Sequence, residues 1–127
     1  MKIRDWFYEV DKNNSYLEER QKELGWVSWK CATGILDSRT RKIKNALNGL
    51  SDMILDNYSI KLLNKLQKEN YGNTYDEVIL YNDAKSIIIT FHDFTQIWKY
   101  NVYCGKKHIF ECEEENDLMV WINHYLQ

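Results

Sequence analysis

The sequence predicts an α+β fold: a helical part over residues 1–72, then a small antiparallel β-sheet and a C-terminal helix over residues 73–127. Three observations carry that reading. Up to Asn70, apolar residues recur at three- and four-residue spacing, the period of a helix with one buried face. After Tyr71-Gly72-Asn73-Thr74 the period falls toward two, and the runs Glu77–Tyr81 and Ser86–Phe91 are rich in β-branched and aromatic residues. Beyond them the acidic run Glu113–Asp117 opens a last stretch in which Leu118, Trp121, Ile122 and Tyr125 return to helical spacing.

A chain of 127 residues can bury a real core without staples. Its hydrophobic content of 44% and charged content of 28% are those of an ordinary globular protein, and 14% aromatic residues favour order over disorder. Cys31, Cys104 and Cys112 form an odd set with no repeated spacing, which argues against a disulfide framework and for a reducing compartment. Lys2, Arg4 and Asp5 do not fit a signal peptide, and no apolar run approaches the roughly 20 residues of a membrane helix. A cytoplasmic protein without membrane contact is expected. The many Asn, Lys and Ile, with no proline, match the coding of an AT-rich genome such as a low-GC bacterium or its phage.

Taken in order, Ile3, Trp6, Phe7 and Val10 make the apolar face of a first helix, and Lys12-Asn13-Asn14 breaks it. Ser15 with Glu18 forms a capping box for a second helix that runs through Leu24 and stops at Gly25. Trp26, Val27 and Trp29 read as core, and Ser28–Gly34 as a further short helix. The stretch Leu36–Gly49 is a helix with Asp37 or Ser38 as its cap and Gly49 as a left-handed stop. Ile43, Ala46, Leu47 and Leu50 form its apolar stripe, while Arg39, Arg41, Lys42, Lys44, Asn45 and Asn48 cover most of the remainder. Ser51-Asp52 caps a short segment to Asn57, and Tyr58–Asn70, with Tyr58, Leu62, Leu63 and Leu66 on one face, reads as another helix; one long broken helix over residues 37–70 is the alternative, and periodicity does not separate the two.

Asn82-Asp83-Ala84-Lys85 supplies turn chemistry between the first two strands, so these form a hairpin. Thr95–Cys104 and His108–Cys112 are the third and fourth strands. A loop of Gly105-Lys106-Lys107 pairs Cys104 with His108, Val102 with Phe110 and Tyr100 with Cys112, gathering one apolar face that Trp98 continues. The terminal helix then packs on that face, with Trp121 buried against Val102 and Phe110.

Charge is segregated. Residues 20–50 hold seven Lys or Arg against two acids, while residues 108–127 hold five acids and no Lys or Arg. Groups suited to catalysis are sparse. Cys104, His108, Cys112 and His124 could be taken for zinc ligands, but four residues of strand separate the two cysteines by roughly 13 Å, too far for one ion. His92-Asp93 is the one adjacent His–Asp pair, with no Gly-rich phosphate loop or nucleophile motif beside it. A non-enzymatic protein without metal or cofactor is expected.

Ser28-Trp-Lys-Cys-Ala-Thr-Gly34-Ile35 resembles the second helix and turn of a Cro/CI-type helix-turn-helix, with Ser38–Leu47 in the place of the recognition helix. Asp56-Asn-Tyr-Ser-Ile-Lys-Leu-Leu63 is similar to the fourth-helix pattern of small phage regulators, in which a polar pair precedes Tyr-Thr-Val and a Leu-rich run. The resemblance covers residues 15–72, and some anti-CRISPR proteins share this N-terminal domain. It implies a DNA-binding transcriptional regulator on double-stranded DNA. The nucleic-acid-binding residues would be Ser38, Arg39, Arg41, Lys42, Lys44, Asn45 and Asn48, with the cations on phosphates or base edges and the two asparagines reaching bases. The sheet would then serve a homodimer or an effector. The competing class is a protein-binding inhibitor of a host defence enzyme, its contact surface either the acidic end or the basic face.

Overall fold

A computed structural model of the chain describes residues 1–12, 36–66, 74–92 and 99–127. The expected second helix, Trp26–Trp29, the Ser28–Gly34 helix and turn, Trp98 and the start of the third strand lie outside the described residues.

Helix α1 covers residues 3–12 and turns Ile3 and Val10 into the core, with Trp6 and Phe7 packed at its edge. Helix α2, Leu36–Leu47, buries Ile43, Ala46 and Leu47 as the spacing predicts. Its ends differ from the expectation. The helix already includes Leu36, so neither Asp37 nor Ser38 is its cap. Nor does Gly49 adopt a positive φ; among the described glycines only Gly105 does. Glycine is needed at 49 because a Cβ there would stand 2.8 Å from Met119 Cγ and 3.0 Å from its Cβ. Helix α3, Asp52–Asn57, follows, with Ser51 in the N-cap position but making no side-chain capping bond.

The helix expected over residues 58–70 is not formed in its described part, residues 58–66, and residues 67–70 lie outside the described residues. Ser59–Leu66 is strand β1, paired residue for residue with β2, Thr74–Tyr81. Tyr58, Leu62, Leu63 and Leu66 fit a helical face, but Tyr58, Ile60 and Leu62 fit a strand face equally, and the neighbouring strand decides between them. Tyr58 and Ile60 are buried on that face. The segment compared with a fourth helix is therefore divided between α3 and β1.

Strands β3, Ser86–His92, β4, Tyr100–Cys104, and β5, Lys107–Cys112, complete an antiparallel meander in the order β1-β2-β3-β4-β5. The β2–β3 turn uses the predicted chemistry: Asn82 Oδ1 accepts from the backbone N–H groups of Ala84 and Lys85, each at 2.8 Å. The β4–β5 register agrees with expectation at Tyr100–Cys112 and Val102–Phe110, then departs from it. A bulge at Ile109 shifts the pairing, so that Tyr103 meets His108 and Cys104 meets Lys107. The loop is thereby shortened to Gly105-Lys106, with φ 62° at Gly105. A two-residue loop with glycine first matches strand twist better than the three-residue loop that parity favoured.

One sheet face carries Ile60, Leu80 and Ile87 in one row and Val78, Ile89 and Val102 in the next, all buried. Against them pack Ile43, Ala46 and Leu47 of α2, Ile54 and Leu55 of α3, and Leu118, Met119 and Ile122 of α4, Glu115–Tyr125. Leu63, Ile79, Ile88 and Tyr103 point to the other face and stay partly exposed. The chain before α1 is tied to the sheet edge: Met1 O accepts from Ile60 N at 2.9 Å, and Ile3 N donates to Tyr58 O at 3.0 Å. Arg4 reaches from α1 to α3 and donates to both Asp52 and Asp56.

The close approach of α4 to the α2–α3 junction is testable. Gly49→Ala should lower stability by about 1–3 kcal/mol through overpacking. In a double-mutant cycle read by denaturant unfolding, adding Met119→Ala should recover part of that cost. Strictly additive losses would show that the two positions do not meet.

Candidate interaction surfaces

Two surfaces are candidates for contact with a partner, the outward side of α2 and a groove between β5 and α4. On α2, burial of Ile43, Ala46 and Leu47 leaves Lys42 and Asn45 exposed and Arg41 half-buried, and Asn48 is exposed in the turn directly after the helix. Lys44 is not available as the sequence reading requires. Its side chain is 16% exposed, with Nζ 2.8 Å from Asp11 Oδ1 and 5.3 Å from the centre of the Phe7 ring. The ammonium is thus engaged in the seam between α1 and α2, paired with a carboxylate and lying over an aromatic face. Arg41 and Lys42 also engage neighbours. The backbones of Ser38 and Arg39 are in the first turns of α2, and their side chains lie outside the described residues. The four cations therefore do not form one exposed convex set.

Lys42 instead helps to line a cavity of about 400 Å³ with Phe91, Tyr100 and the acids that open α4, Glu113, Glu114 and Glu115. The Tyr100 hydroxyl donates to Glu115 Oε1 at 3.2 Å. Burial, reinforced by the Glu115 charge, pushes its pKa upward and keeps the phenol protonated. Phosphates approaching Lys42 would meet these carboxylates as well.

The second surface is built by two elements that the core holds rigidly. Leu118, Met119 and Ile122 face inward from α4, so Asp117, Val120, Trp121 and His124 fall on or beside its outer side. Trp121 stacks on Phe110 of β5, with ring centres 4.7 Å apart and planes 10° apart, and on Tyr125 one turn later, at 4.8 Å and 10°. Two parallel partners occupy the two faces of one indole, so Trp121 presents its edge. It is half-buried rather than fully buried as expected, which makes it part of a surface as well as of the core. Lys85 ends the aromatic column: its Nζ lies 5.5 Å from the Tyr125 ring centre and donates to Tyr125 O at 2.9 Å. That bond also caps a carbonyl at the end of α4.

Beside this column lies an open groove of about 760 Å³, with Phe110, Val120 and Trp121 as apolar lining and Glu111, Glu113, Glu114 and Asp117 as acids. Val120 is 63% exposed. Glu111 pairs with Lys99 at 2.6 Å, and that hydrogen bond holds its carboxyl below the usual range. Among the described residues, Glu114 and Asp117 have no cation within ion-pair distance. The sequence reading treated Trp121 and Tyr125 as plain core and passed over Val120 and Met119. The signal for the groove was there, in an apolar residue at 120 one turn beyond an acidic helix start.

Cys112 also lines the groove, donating from Sγ to Glu114 O at 3.5 Å, and burial raises its pKa to about 11. At pH 8 roughly one such thiol in a thousand is ionised, whereas Cys104 is exposed. Iodoacetamide should therefore modify Cys104 well before Cys112, and the Cys112 rate should climb about tenfold per pH unit up to its pKa. Peptide mapping by mass spectrometry measures both rates, and equal rates at pH 8 would contradict the site geometry.

Compared with protein-family models, with curated proteins and with solved structures, the chain finds no match.

Proposed function

We propose that this chain is a non-enzymatic protein-binding module whose contact surface is the groove between β5 and α4. The observation that carries the reading is exposed Val120 beside half-buried Trp121, held by the Phe110–Trp121–Tyr125 stack next to Glu114 and Asp117, which have no ion-pair partner among the described residues. Half-buried aromatic residues on a rigid scaffold, surrounded by a polar rim, are the usual anchors of protein interfaces. The reading agrees with the inhibitor class and places contact at the acidic end of the chain.

Nucleic-acid binding through α2 is the second reading. It is favoured by Lys42 and Asn45 standing exposed on α2, with Asn48 exposed in the turn directly after it. Against it, Lys44 is engaged within the fold, and the acids of α4 stand beside Lys42.

Two variants separate the readings. Val120→Lys puts a long charged side chain in the groove at an exposed helical position and should leave the melting temperature within a few degrees. It should abolish stoichiometric capture of a protein partner from nuclease-treated host lysate, while Lys42→Ala with Asn45→Ala should not. A gel-shift titration on genomic fragments at two salt concentrations checks the alternative. A salt-sensitive shift that Lys42→Ala with Asn45→Ala weakens, and Val120→Lys does not, would overturn the protein-binding reading.

A further inference from the structure

Resting on that reading, we infer that the occupant of the groove is a basic amphipathic segment, one that sets an apolar side chain on Val120, Trp121 and Phe110 and lysines or arginines on Glu114 and Asp117. The groove's volume of about 760 Å³ is within the range of pockets that enclose a few side chains. Its floor is hydrocarbon and aromatic edge, which selects an apolar group. Because both faces of the Trp121 ring are covered by Phe110 and Tyr125, a cation cannot stack flat on it, so positive charge has to be satisfied at the rim.

The rim supplies that charge. Glu113, Glu114 and Asp117 are exposed, and Glu111 already has Lys99. No Lys or Arg occurs from residue 108 to the last residue, Gln127, so α4 and β5 bring no cation of their own except Lys107 at the far end of the strand. His124 lines the groove but is one turn beyond Val120 and cannot neutralise three acids. An apolar floor beside Glu114 and Asp117, which have no ion-pair partner among the described residues, complements a segment with apolar residues on one side and cations flanking them, and it repels an acidic or nucleic-acid ligand.

The experiment uses the full chain and three fluorescent peptides of equal length: a Leu/Lys amphipathic helix, its Leu/Glu counterpart, and a Ser/Lys peptide of the same charge as the first. Anisotropy should show binding of Leu/Lys alone. Val120→Lys should abolish it. Glu114→Gln with Asp117→Asn should weaken it about three- to tenfold, the size expected for two exposed ion pairs. Raising salt from 50 to 300 mM should weaken the wild type more than this neutral variant.

Equal binding of Ser/Lys and Leu/Lys would overturn the inference by showing charge attraction without a groove. Self-association of the chain that the Leu/Lys peptide fails to displace would overturn it in favour of a second copy as occupant. If Val120→Lys abolishes capture of a lysate partner while the neutral variant and added salt leave that capture unchanged, the protein-binding reading stands and the basic-segment inference fails.

Discussion

The amide side chain of Asn123 fixes the arrangement on which the other contacts depend. Its Oδ1 accepts from Ser51 N at 2.8 Å, and its Nδ2 donates to Gly49 O, also at 2.8 Å. One residue on α4 thereby satisfies a backbone donor and a backbone acceptor in the junction between α2 and α3, where the chain has left one helix and not yet entered the next. Neither a carboxylate nor an apolar side chain can do both, since one lacks the donor and the other lacks both groups. The junction is drawn against α4 so closely that Met119 leaves no space for a Cβ at position 49. The same end of α4 is tied down again, since the Tyr58 hydroxyl donates to Leu126 O at 3.0 Å and Lys85 donates to Tyr125 O, while at the start of the helix Glu115 Oε1 accepts from the Tyr100 hydroxyl at 3.2 Å. With both ends anchored, Leu118 and Ile122 are pressed onto the sheet with no exposed surface.

That anchoring links the fold to the groove. The helix that completes the core also carries Asp117, Val120 and Trp121 on its outer side. Under the proposed function, side chains on an element fixed at both ends would lose little freedom on binding, which favours affinity without a large ordering cost. The segregation of charge along the sequence has a different outcome at each end. The basic stretch is partly consumed within the fold, by Asp11 and Phe7 at Lys44. The acidic stretch stays largely exposed at the start of α4, where the helix dipole favours it.

Much of the architecture was legible because it rests on periodicity over long windows. Ile3 and Val10, the Ile43–Ala46–Leu47 stripe and the β2–β3 hairpin with its Asn82 turn all appear where spacing places them. The α+β class follows from these. What was not legible depends on neighbours remote in sequence. Ser59–Leu66 has apolar residues that satisfy both periods, and only β2 alongside decides the matter. Gly49 looked like a helix stop because that is the commonest local use of glycine after a helix, but the constraint comes from Met119, seventy residues on. Lys44 looked free because its partners lie on α1, more than thirty residues earlier. The bulge at Ile109 is a contest between loop twist and side-chain parity, and parity alone could not judge it. The groove was only half visible: its acids were read as a helix start and its aromatics as core, and the juxtaposition with β5 has no local signature.

The two margins of the meander differ in a way that bears on association between molecules. At β1, the bridge between Lys2 and Ser59, flanked by bonds to Met1 and Ile3, occupies backbone groups that would otherwise invite a foreign strand. At β5, among the described residues, no strand pairs the outer side. That margin is blunted by other means. The Ile109 bulge interrupts the regular ladder, and Lys107, His108 and Glu111 are exposed along it. A straight, apolar edge would template sheet growth from one molecule to the next. An interrupted and charged one costs an incoming strand both register and desolvation, so the same irregularity that defeats sequence-based pairing guards the sheet against aggregation.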